Sequence, residues 1–257
     1  MNCSAQNLKL AGIPKPGTVM IGNAKNLSKI TLNDRELQFD KNGTFTFGFD
    51  RDAEGIYTLM IEYINGDIET KMLKLEMREY KIQRINNLAS KYVSPPKSEL
   101  PRIERESEMM RQARSEIGKI DSALFISGFT IPVKGGRVTG VFGSQRILNG
   151  VPKSPHNGYD IAAPMGTPIF AMADGIVRIA GDDFYYNGNF VLLDHGQGLS
   201  SVYIHMSKKV VKDGQFVKGG EKIGEIGSTG RATGDHLHWG VQWFDERIDP
   251  ISLLELK

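Results

Sequence analysis

The stretch Gly234-Asp235-His236-Leu237-His238-Trp239-Gly240 (GDHLHWG) places two histidines on either side of one leucine. In a β-strand, residues i and i+2 point to the same face, so His236 and His238 are expected to project together while Leu237 turns into the core. Two adjacent imidazoles form a ready metal or proton-transfer site, and two histidines on a polar surface are the alternative. The stretch therefore predicts a strand whose outer face carries chemistry.

The remaining histidines are confined to the same half of the chain. All five histidines of the 257 residues fall between positions 156 and 238. In His156-Asn157-Gly158-Tyr159-Asp160, the Asn-Gly pair and the preceding Pro155 indicate a turn that delivers Asp160 to a strand at Ile161. A catalytic zinc typically has three protein ligands and a fourth position open to water, and it accepts imidazole nitrogen and carboxylate oxygen. Two histidines and one aspartate meet that requirement.

Composition excludes several classes of protein. A formal net charge of +2 and 24% charged residues give no basic excess, so no nucleic-acid partner is expected. No transmembrane segment is expected either, because no run of about 18 apolar residues is present, and the start MNCSAQNLKL lacks the apolar core of a signal peptide. The single Cys3 cannot form an internal disulfide, and we expect it to be unreactive; a lipid-modified N-terminal cysteine is the alternative.

The first third of the chain is predicted to be all β. Residues 44–49 alternate aromatic with small or polar side chains, and residues 57–63 are β-branched and aromatic, as half-buried strands require. Asn65-Gly66 is expected to supply the positive φ angles of a tight hairpin turn. The pattern predicts a small immunoglobulin-like (Ig-like) antiparallel β-sandwich over residues 1–92.

A charged helix is predicted next, within a linker at residues 93–125. Ser94-Pro95-Pro96 ends regular structure, and residues 101–121 are rich in Arg, Glu and Met. Pro101 suits the first turn of the helix and Ser98 is the candidate cap. The helix is expected to rest on one domain as a solvated linker or to act as a lid or autoinhibitory arm. Its predicted packing face comprises Ile103, Met110, Ala113 and Ile117.

Residues 126–257 are predicted to form an antiparallel β-domain without a helix of useful length, so the fold class is mostly β. Glycine is frequent there, and strand-like runs alternate with turns at residues 137–142, 167–171, 175–180, 190–194, 200–205, 222–226 and 237–243.

An ordered series of motifs runs through this β-domain. It comprises Gly140-Val141-Phe142-Gly143, His156-Asn157-Gly158-Tyr159-Asp160-Ile161-Ala162-Ala163-Pro164, Gly166-Thr167-Pro168-Ile169, Ala173-Asp174-Gly175-Ile176-Val177, Asp194-His195-Gly196, Tyr203-Ile204-His205-Met206, Gly227-Ser228-Thr229-Gly230 and His236-Leu237-His238. Residues 130–243 therefore resemble the lysostaphin-type, or LytM-domain, zinc metallopeptidases that cut peptide bridges in bacterial peptidoglycan.

The resemblance implies one catalytic Zn²⁺ held by His156, Asp160 and His238, with His205 and His236 as an unliganded catalytic pair. One imidazole of the pair would take the proton of the attacking water, and the other would stabilise the oxyanion. The implied partners are peptidoglycan stem peptides outside the cytoplasm, in the periplasm or extracellular space. The expected bond is the D-alanyl to diaminopimelate bridge, with glycine bridges as the alternative.

Other residues near these motifs have two interpretations each. Arg146 is expected to bind a substrate carboxylate or to form a surface salt bridge, and Tyr159 to stack along the cleft or to pack. Trp239 is expected to pack, and His195 to hydrogen-bond nearby backbone. Asp235 would orient His236 or cap a turn, and residues 144–155 should form a wall of the groove.

Two competing hypotheses concern function. In the first hypothesis, the domain is a non-catalytic regulator that binds peptidoglycan or activates an amidase. In the second, it is a latent enzyme whose site is covered by the N-terminal half. The presence of all three implied ligands and both catalytic histidines counts against the regulator. The sequence identifies no regulatory protein partner.

Overall fold

The computed structural model describes residues 8–86 and 95–256, so Cys3 and Ser94 lie outside the described residues. The N-terminal part contains eight strands among these residues. They are β1 (Lys9–Ala11), β2 (Val19–Asn23), β3 (Leu27–Leu32), β4 (Arg35–Glu36), β5 (Thr44–Gly48), β6 (Ile56–Tyr63), β7 (Ile68–Lys74) and β8 (Ile82–Ile85). Two antiparallel sheets result, β1-β2-β5 and β4-β3-β6-β7. The antiparallel sheets were predicted, and their Ig-like topology stays a prediction.

The strand and hairpin at residues 57–67 form largely as predicted. β6 alternates between buried and more exposed residues, and it pairs with β7. Two backbone hydrogen bonds close the turn: Gly66 N donates to Tyr63 O at 2.9 Å, and Tyr63 N donates to Asp67 O at 3.0 Å. Of the Asn65-Gly66 pair, only Gly66 has a positive φ, at 88°. This geometry is that of a longer hairpin loop with one left-handed glycine, not of a turn with two positive φ angles.

β5 is more deeply buried than its alternation predicts. All five of its residues are buried, so the prediction of a half-buried strand is wrong. The C-terminal domain packs on its second face: the Gln197 amide donates to Thr44 O at 2.8 Å, and a Cβ on Gly48 would lie 2.6 Å from Ile248 Cδ1. One hydrophobic core therefore runs from the N-terminal sheets into the C-terminal domain. The domain boundaries at residues 92 and 125 stay predictions.

The predicted helix is shorter than expected. α1 (Leu100–Arg114) has Pro101 in its first turn, as predicted. Its N-cap position is Glu99, without a side-chain cap hydrogen bond, so Ser98 is not the cap. The chain leaves the helix through turns that end at Gly118, whose φ of 90° is incompatible with a continuing helix. Ile117 consequently lies beyond α1.

The C-terminal part contains twelve strands and one short helix among the described residues. The strands are β9 (Arg137–Gly140), β10 (Gln145–Leu148), β11 (Val151–Pro152), β12 (Tyr159–Ala162), β13 (Pro168–Phe170), β14 (Gly175–Phe184), β15 (Gly188–Asp194), β16 (Leu199–Lys209), β17 (Phe216–Val217), β18 (Lys222–Ile226), β19 (His236–Trp243) and β20 (Glu246–Ile248); α2 is Pro250–Leu254. The main sheet runs β17-β14-β15-β16-β19-β12-β9, with β18 beside β16 and β20 beside β19. Every predicted strand of this domain has a counterpart.

α1 rests on the C-terminal domain through both apolar and polar contacts. Met110 and Ala113 pack against the buried cluster that includes Phe184 and Phe190. At the polar edge, the Glu106 carboxylate accepts a hydrogen bond from Tyr185 N at 2.7 Å. These contacts agree with the linker interpretation.

One strand pairing departs from the antiparallel prediction. β8, which falls within the predicted N-terminal domain, pairs in parallel with β10 of the C-terminal domain. β11 occupies the other edge of β10, so β8 satisfies the backbone groups that the β10–β11 hairpin would leave unpaired. Within the described residues, none of the helices has the length and apolar character needed to cross a membrane.

Candidate metal and catalytic site

Two neighbouring strands bring the central residues together. β12 and β19 pair antiparallel, with Asp160 opposite His238 and Ala162 opposite His236. Leu237 is fully buried between the two histidines, which confirms the alternation predicted from the sequence. His156 reaches the same point from the preceding turn, where its backbone N–H donates to Ser144 O at 2.9 Å.

Three potential metal ligands converge at this point. The Nε2 atom of His156 lies 2.9 Å from Asp160 Oδ1 and 2.9 Å from His238 Nδ1. The third side of the triangle, His238 Nδ1 to Asp160 Oδ1, measures 2.8 Å. All three residues are buried or half-buried. Two imidazole nitrogens and one carboxylate oxygen on a common point are a donor set that suits Zn²⁺.

The surroundings of the site orient His156 and keep Asp160 ionised. His156 Nδ1 lies 3.0 Å from Val141 O and donates to it, because a carbonyl oxygen only accepts, so Nε2 is the ring atom that faces the other two candidate ligands. Burial alone would raise the pKa of Asp160, but interactions with the imidazoles of His156 and His238 outweigh it and hold that pKa below its ordinary range. The carboxylate is therefore ionised, as a ligand must be.

Two glycines leave the space that these ligands occupy. A Cβ on Gly140 would lie 2.4 Å from Asp160 Oδ2 and 2.9 Å from His156 Cε1. A Cβ on Gly158 would lie 2.6 Å from His238 Nε2. Neither glycine has a positive φ, so backbone conformation does not require them. Both glycines leave the space that the candidate ligands fill, which agrees with the fit of these residues to a metal ion.

His205 is turned toward the site by an irregularity in β16. Its φ is 67°, in the left-handed region that a non-glycine residue rarely adopts, and the pairing of the strand shifts register beside it. Its Nδ1 donates to Thr229 O at 2.8 Å, so the lone pair of the neutral ring is on Nε2. Burial and the neighbouring His236 lower the pKa of His205 to about 3, so its ring is neutral.

His236 forms the second half of this pair. The ring centroids of His205 and His236 lie 4.8 Å apart. His236 Nδ1 donates to Gly234 O at 2.8 Å, so a backbone carbonyl orients the ring. The Asp235 carboxylate is not that orienting group. Both rings thus have Nδ1 engaged by a carbonyl oxygen and Nε2 available for proton transfer.

Arg146 contacts Asp160, one of the three candidate ligands. Its Nη2 atom lies 3.1 Å from Asp160 Oδ2, and its Nε donates to Gln83 Oε1 at 3.3 Å. Burial lowers the pKa of Arg146, an effect that the charge of Asp160 opposes. Of the two interpretations, Arg146 forms a salt bridge, but with a ligand carboxylate inside the cleft and not at the surface.

The other residues singled out from the sequence lie away from the cleft. Tyr159 and Asp160 are adjacent in β12, so their side chains point to opposite faces, and Tyr159 packs against the hydrophobic core. The structure thus supports packing, and not stacking along the cleft, for Tyr159. Trp239 is fully buried, as predicted. His195, also fully buried, lies with Nδ1 2.7 Å from Asp174 O and Nε2 2.7 Å from Ser201 Oγ, which confirms the predicted hydrogen bond to nearby backbone.

A groove passes through the site. Two cavities of about 590 Å³ and 670 Å³ share His205, His238, Arg146, Leu148 and Arg231 among their lining residues, so they meet at the ligands. Residues 146, 148 and 153–155 line these cavities, so the span 144–155 forms a wall as expected. A groove open on both sides of the ligands can hold an extended chain.

Several groove residues were not predicted from the sequence. Gln83 reaches the groove from β8 through the parallel pairing, for which the sequence has no local signal. Arg114 reaches it from α1 and Arg247 from β20. Arg231 follows the Gly227-Ser228-Thr229-Gly230 motif directly, and that position was the one available signal.

Comparison with known proteins agrees with this geometry. Residues 154–250 match the model described as Peptidase family M23. Peptidoglycan DD-endopeptidase ShyA from Vibrio cholerae is 46% identical over 86 residues, which are 34% of this chain and 20% of the relative. DD-carboxypeptidase/endopeptidase Mpg from Neisseria meningitidis is 43% identical over 98 residues, which are 38% of this chain and 22% of the relative.

A solved structure extends the similarity to both parts of the chain. A crystal structure described as a peptidase M23 from Pseudomonas aeruginosa superposes with a TM-score of 0.65 at 27% identity, covering 95% of this chain and 96% of that one. The sequence matches to ShyA and Mpg cover less than a quarter of those relatives. Residues 154–250 of this chain therefore match Peptidase family M23, and the similarity to a solved peptidase M23 extends over 95% of the chain.

Proposed function

We propose that the chain is a zinc-dependent endopeptidase that hydrolyses peptide cross-links of bacterial peptidoglycan. The carrying observation is the convergence of His156, Asp160 and His238 beside the His205–His236 pair. The names of the relatives, which include peptidoglycan DD-endopeptidase, support the D-alanyl to diaminopimelate bridge as the bond. Such a substrate lies in the periplasm or outside the cell.

The ligand set would hold one zinc ion. When bound, zinc supplies a Lewis acid that polarises a carbonyl and lowers the pKa of water toward neutrality. The ligands contribute one negative charge, from Asp160, and Arg146 holds the second oxygen of that carboxylate. The Val141 carbonyl keeps His156 in the tautomer that offers Nε2 to the ion.

The two remaining histidines would perform the proton transfers. The Nε2 atom of His205 carries the free lone pair, because Nδ1 donates to Thr229 O, and it can accept the proton of the attacking water. His236, half-buried at the edge of the groove, stands next to it and would hydrogen-bond the developing oxyanion or pass the proton to the leaving amine. Carbonyl contacts at Thr229 and Gly234 hold both rings in place, which lowers the cost of organising them during the reaction.

The shape of the groove favours cleavage within a chain. Cavities lie on both sides of the ligands, so peptide on either side of the cut bond can be bound. A non-catalytic regulator is not favoured, because the three ligands and both histidines are present and oriented. Latency remains an outcome of the test below.

The test is mass spectrometry of muropeptides released from Gram-negative sacculi by the full chain. One sample is loaded with zinc, a second is chelated, and a third is chelated and then reloaded. We expect cross-linked dimers to fall to monomers in the first and third samples only, with fragment masses that identify the bond. Equal loss of dimers in the chelated sample would overturn zinc dependence, and intact dimers despite bound zinc would favour latency or a glycine bridge.

A further inference from the structure

One arm of the groove is cationic and has no acidic lining residue. The cavity of about 670 Å³ that begins at His238 is lined by five arginine or lysine residues and by no aspartate or glutamate among the described residues. The five cations are Arg114, Arg146, Lys153, Arg231 and Arg247. Arg146 is engaged by Asp160, and Arg231 lies over the Tyr186 ring at 4.4 Å.

Arg114 and Arg247 form the far end of this arm. Both side chains are half-buried, and neither guanidinium forms an ion pair within the part of the chain that the structure describes. Burial and the like charge of Arg247 lower the pKa of Arg114 to about 10. Asp50, whose carboxylate accepts a hydrogen bond from Arg247 N at 2.9 Å, offsets the charge of Arg247 only in part. Two partly desolvated cations with incomplete compensation are costly, so an anion bound between them would be stabilised.

Strand β19 links these arginines to the candidate metal ligands, and its Gln242 lines a neighbouring cavity together with Arg114 and Arg247. His238, Gly240 and Gln242 alternate along β19 and share one face, and Gln242 pairs with Arg247 of β20. At about 3.3 Å per residue, Gln242 lies about 13 Å along the strand from His238, the length of three to four residues of extended peptide. Gln242 is buried, and its Oε1, a hydrogen-bond acceptor, has no partner in the described structure.

We propose that Arg114 and Arg247 form a subsite that binds a free carboxylate of the substrate peptide, three to four residues from the cleaved bond. The proposal rests on the proposed function for the identity of the peptide. A stem peptide carries free carboxylates on its glutamate and diaminopimelate residues, and guanidinium groups bind carboxylates with paired hydrogen bonds. Because Arg114 belongs to α1, the linker helix becomes part of the substrate site.

The test measures binding separately from cleavage. Calorimetry on the full chain with its metal chelated compares a free-acid stem tetrapeptide with analogues amidated at glutamate, at diaminopimelate, or at both. The variants are Arg114→Gln and Arg247→Gln, with Arg105→Gln as the matched control because Arg105 is exposed on the same helix. Arg114→Lys keeps the charge without the paired donors, and thermal melts check that every variant is folded.

We expect Arg114→Gln and Arg247→Gln to weaken binding of the free-acid peptide by about 10- to 100-fold, the range for a hydrogen bond to a charged group. Binding of the doubly amidated peptide should not change, Arg114→Lys should recover part of the loss, and Arg105→Gln should behave as wild type. If the affinity of one singly amidated analogue is the same for wild type and Arg114→Gln, the carboxylate blocked in that analogue is the one that binds the subsite.

Two outcomes would overturn the subsite: wild-type chain that binds free-acid and amidated peptides equally, or arginine variants that weaken both peptides alike. Cleavage by the zinc-loaded chain is scored independently. A chain that binds the free-acid peptide through these arginines but cuts no cross-link would retain the subsite and refute the proposed function. If the chain cuts cross-links but Arg114→Gln and Arg247→Gln bind the free-acid peptide as tightly as Arg105→Gln does, the proposed function is retained and the subsite is refuted.

Discussion

Replacing Gly158 by alanine should disturb the metal ligands without altering any of them. The new Cβ would lie 2.6 Å from both His238 Nε2 and the Trp239 carbonyl oxygen, closer than the 3.0 Å below which Cβ contacts essentially do not occur. Because the carbonyl belongs to the backbone of β19, the strand has to move by several tenths of an ångström. His238 would move with it.

The magnitude follows from two opposing terms. Overpacking a filled site costs about 1 to 3 kcal/mol, and replacing glycine by alanine recovers about 0.4 to 1 kcal/mol through the unfolded chain. The remaining loss of about 0 to 2.6 kcal/mol should lower the Tm by up to about 10 °C in a chain of this size. A displaced ligand should also weaken zinc binding, by on the order of 10- to 100-fold.

The assay combines thermal melts of the chelated chain with zinc competition against a chromophoric chelator. Gly234→Ala is the control, because a Cβ there meets nothing within 4 Å and its φ is not in the left-handed range. Gly158→Ala should fall below Gly234→Ala in both Tm and zinc affinity. Equal values for the two variants would refute the claim that Gly158 is present to make room for His238.

Two further predictions concern stability, measured by urea unfolding of the chelated chain so that metal loss does not contribute. Leu237→Ala should cost about 2 to 5 kcal/mol, because its side chain is fully buried between the two histidines; a loss below about 1 kcal/mol would place Leu237 outside the core. Arg51→Gln should cost about 1 to 3 kcal/mol, because Nε and Nη2 both donate to Gly143 O, at 2.9 and 2.8 Å. The control is Lys29→Gln, which removes an exposed ion pair with Glu36 at 3.7 Å and should cost under about 1 kcal/mol. Equal losses of stability for Arg51→Gln and Lys29→Gln would contradict the assigned importance of the Arg51 contact.

Local patterns in the sequence were sufficient for many of the strands. The β-branched and aromatic composition of residues 57–63 predicted β6, and the i, i+2 geometry of a strand predicted the shared face of His236 and His238 in β19. The Asn-Gly turn before Asp160 likewise predicted the entry into β12. These features depend on residues close together in the chain, so a single sequence contains the information. The assignment of individual ligands required the ordered motifs of a known family.

Features that depend on distant parts of the chain were not predictable. The burial of β5 on both faces depends on contacts with residues about two hundred positions later, such as Ile248. The parallel pairing of β8 with β10 places Gln83 in the groove, and no periodicity signals it. Similarly, the sequence does not distinguish Arg114 from the other charged residues of the helix, because its position in the groove depends on how α1 packs.

The backbone at His205 is a third case. Its sequence neighbourhood predicts an ordinary strand, and the alternation alone does not reveal the left-handed φ of 67°. A strained residue of this kind persists only where surrounding contacts fix it, here the donation of His205 N to Asn187 O at 2.9 Å and of Nδ1 to Thr229 O at 2.8 Å. The role of His205 was therefore inferred from the family motif, and the structure adds how the ring is aimed.

The division between ligands and catalytic histidines is the central claim, and zinc content per chain tests it most directly. Elemental mass spectrometry of purified His205→Ala and His238→Ala, loaded identically and dialysed, gives the number of zinc ions bound by each. We expect close to one zinc per chain for His205→Ala and almost none for His238→Ala, because His238 Nδ1 lies within 2.9 Å of His156 Nε2 and Asp160 Oδ1, whereas His205 is not part of this triangle. A metal-free His205→Ala chain, or a fully loaded His238→Ala chain, would contradict the assignment.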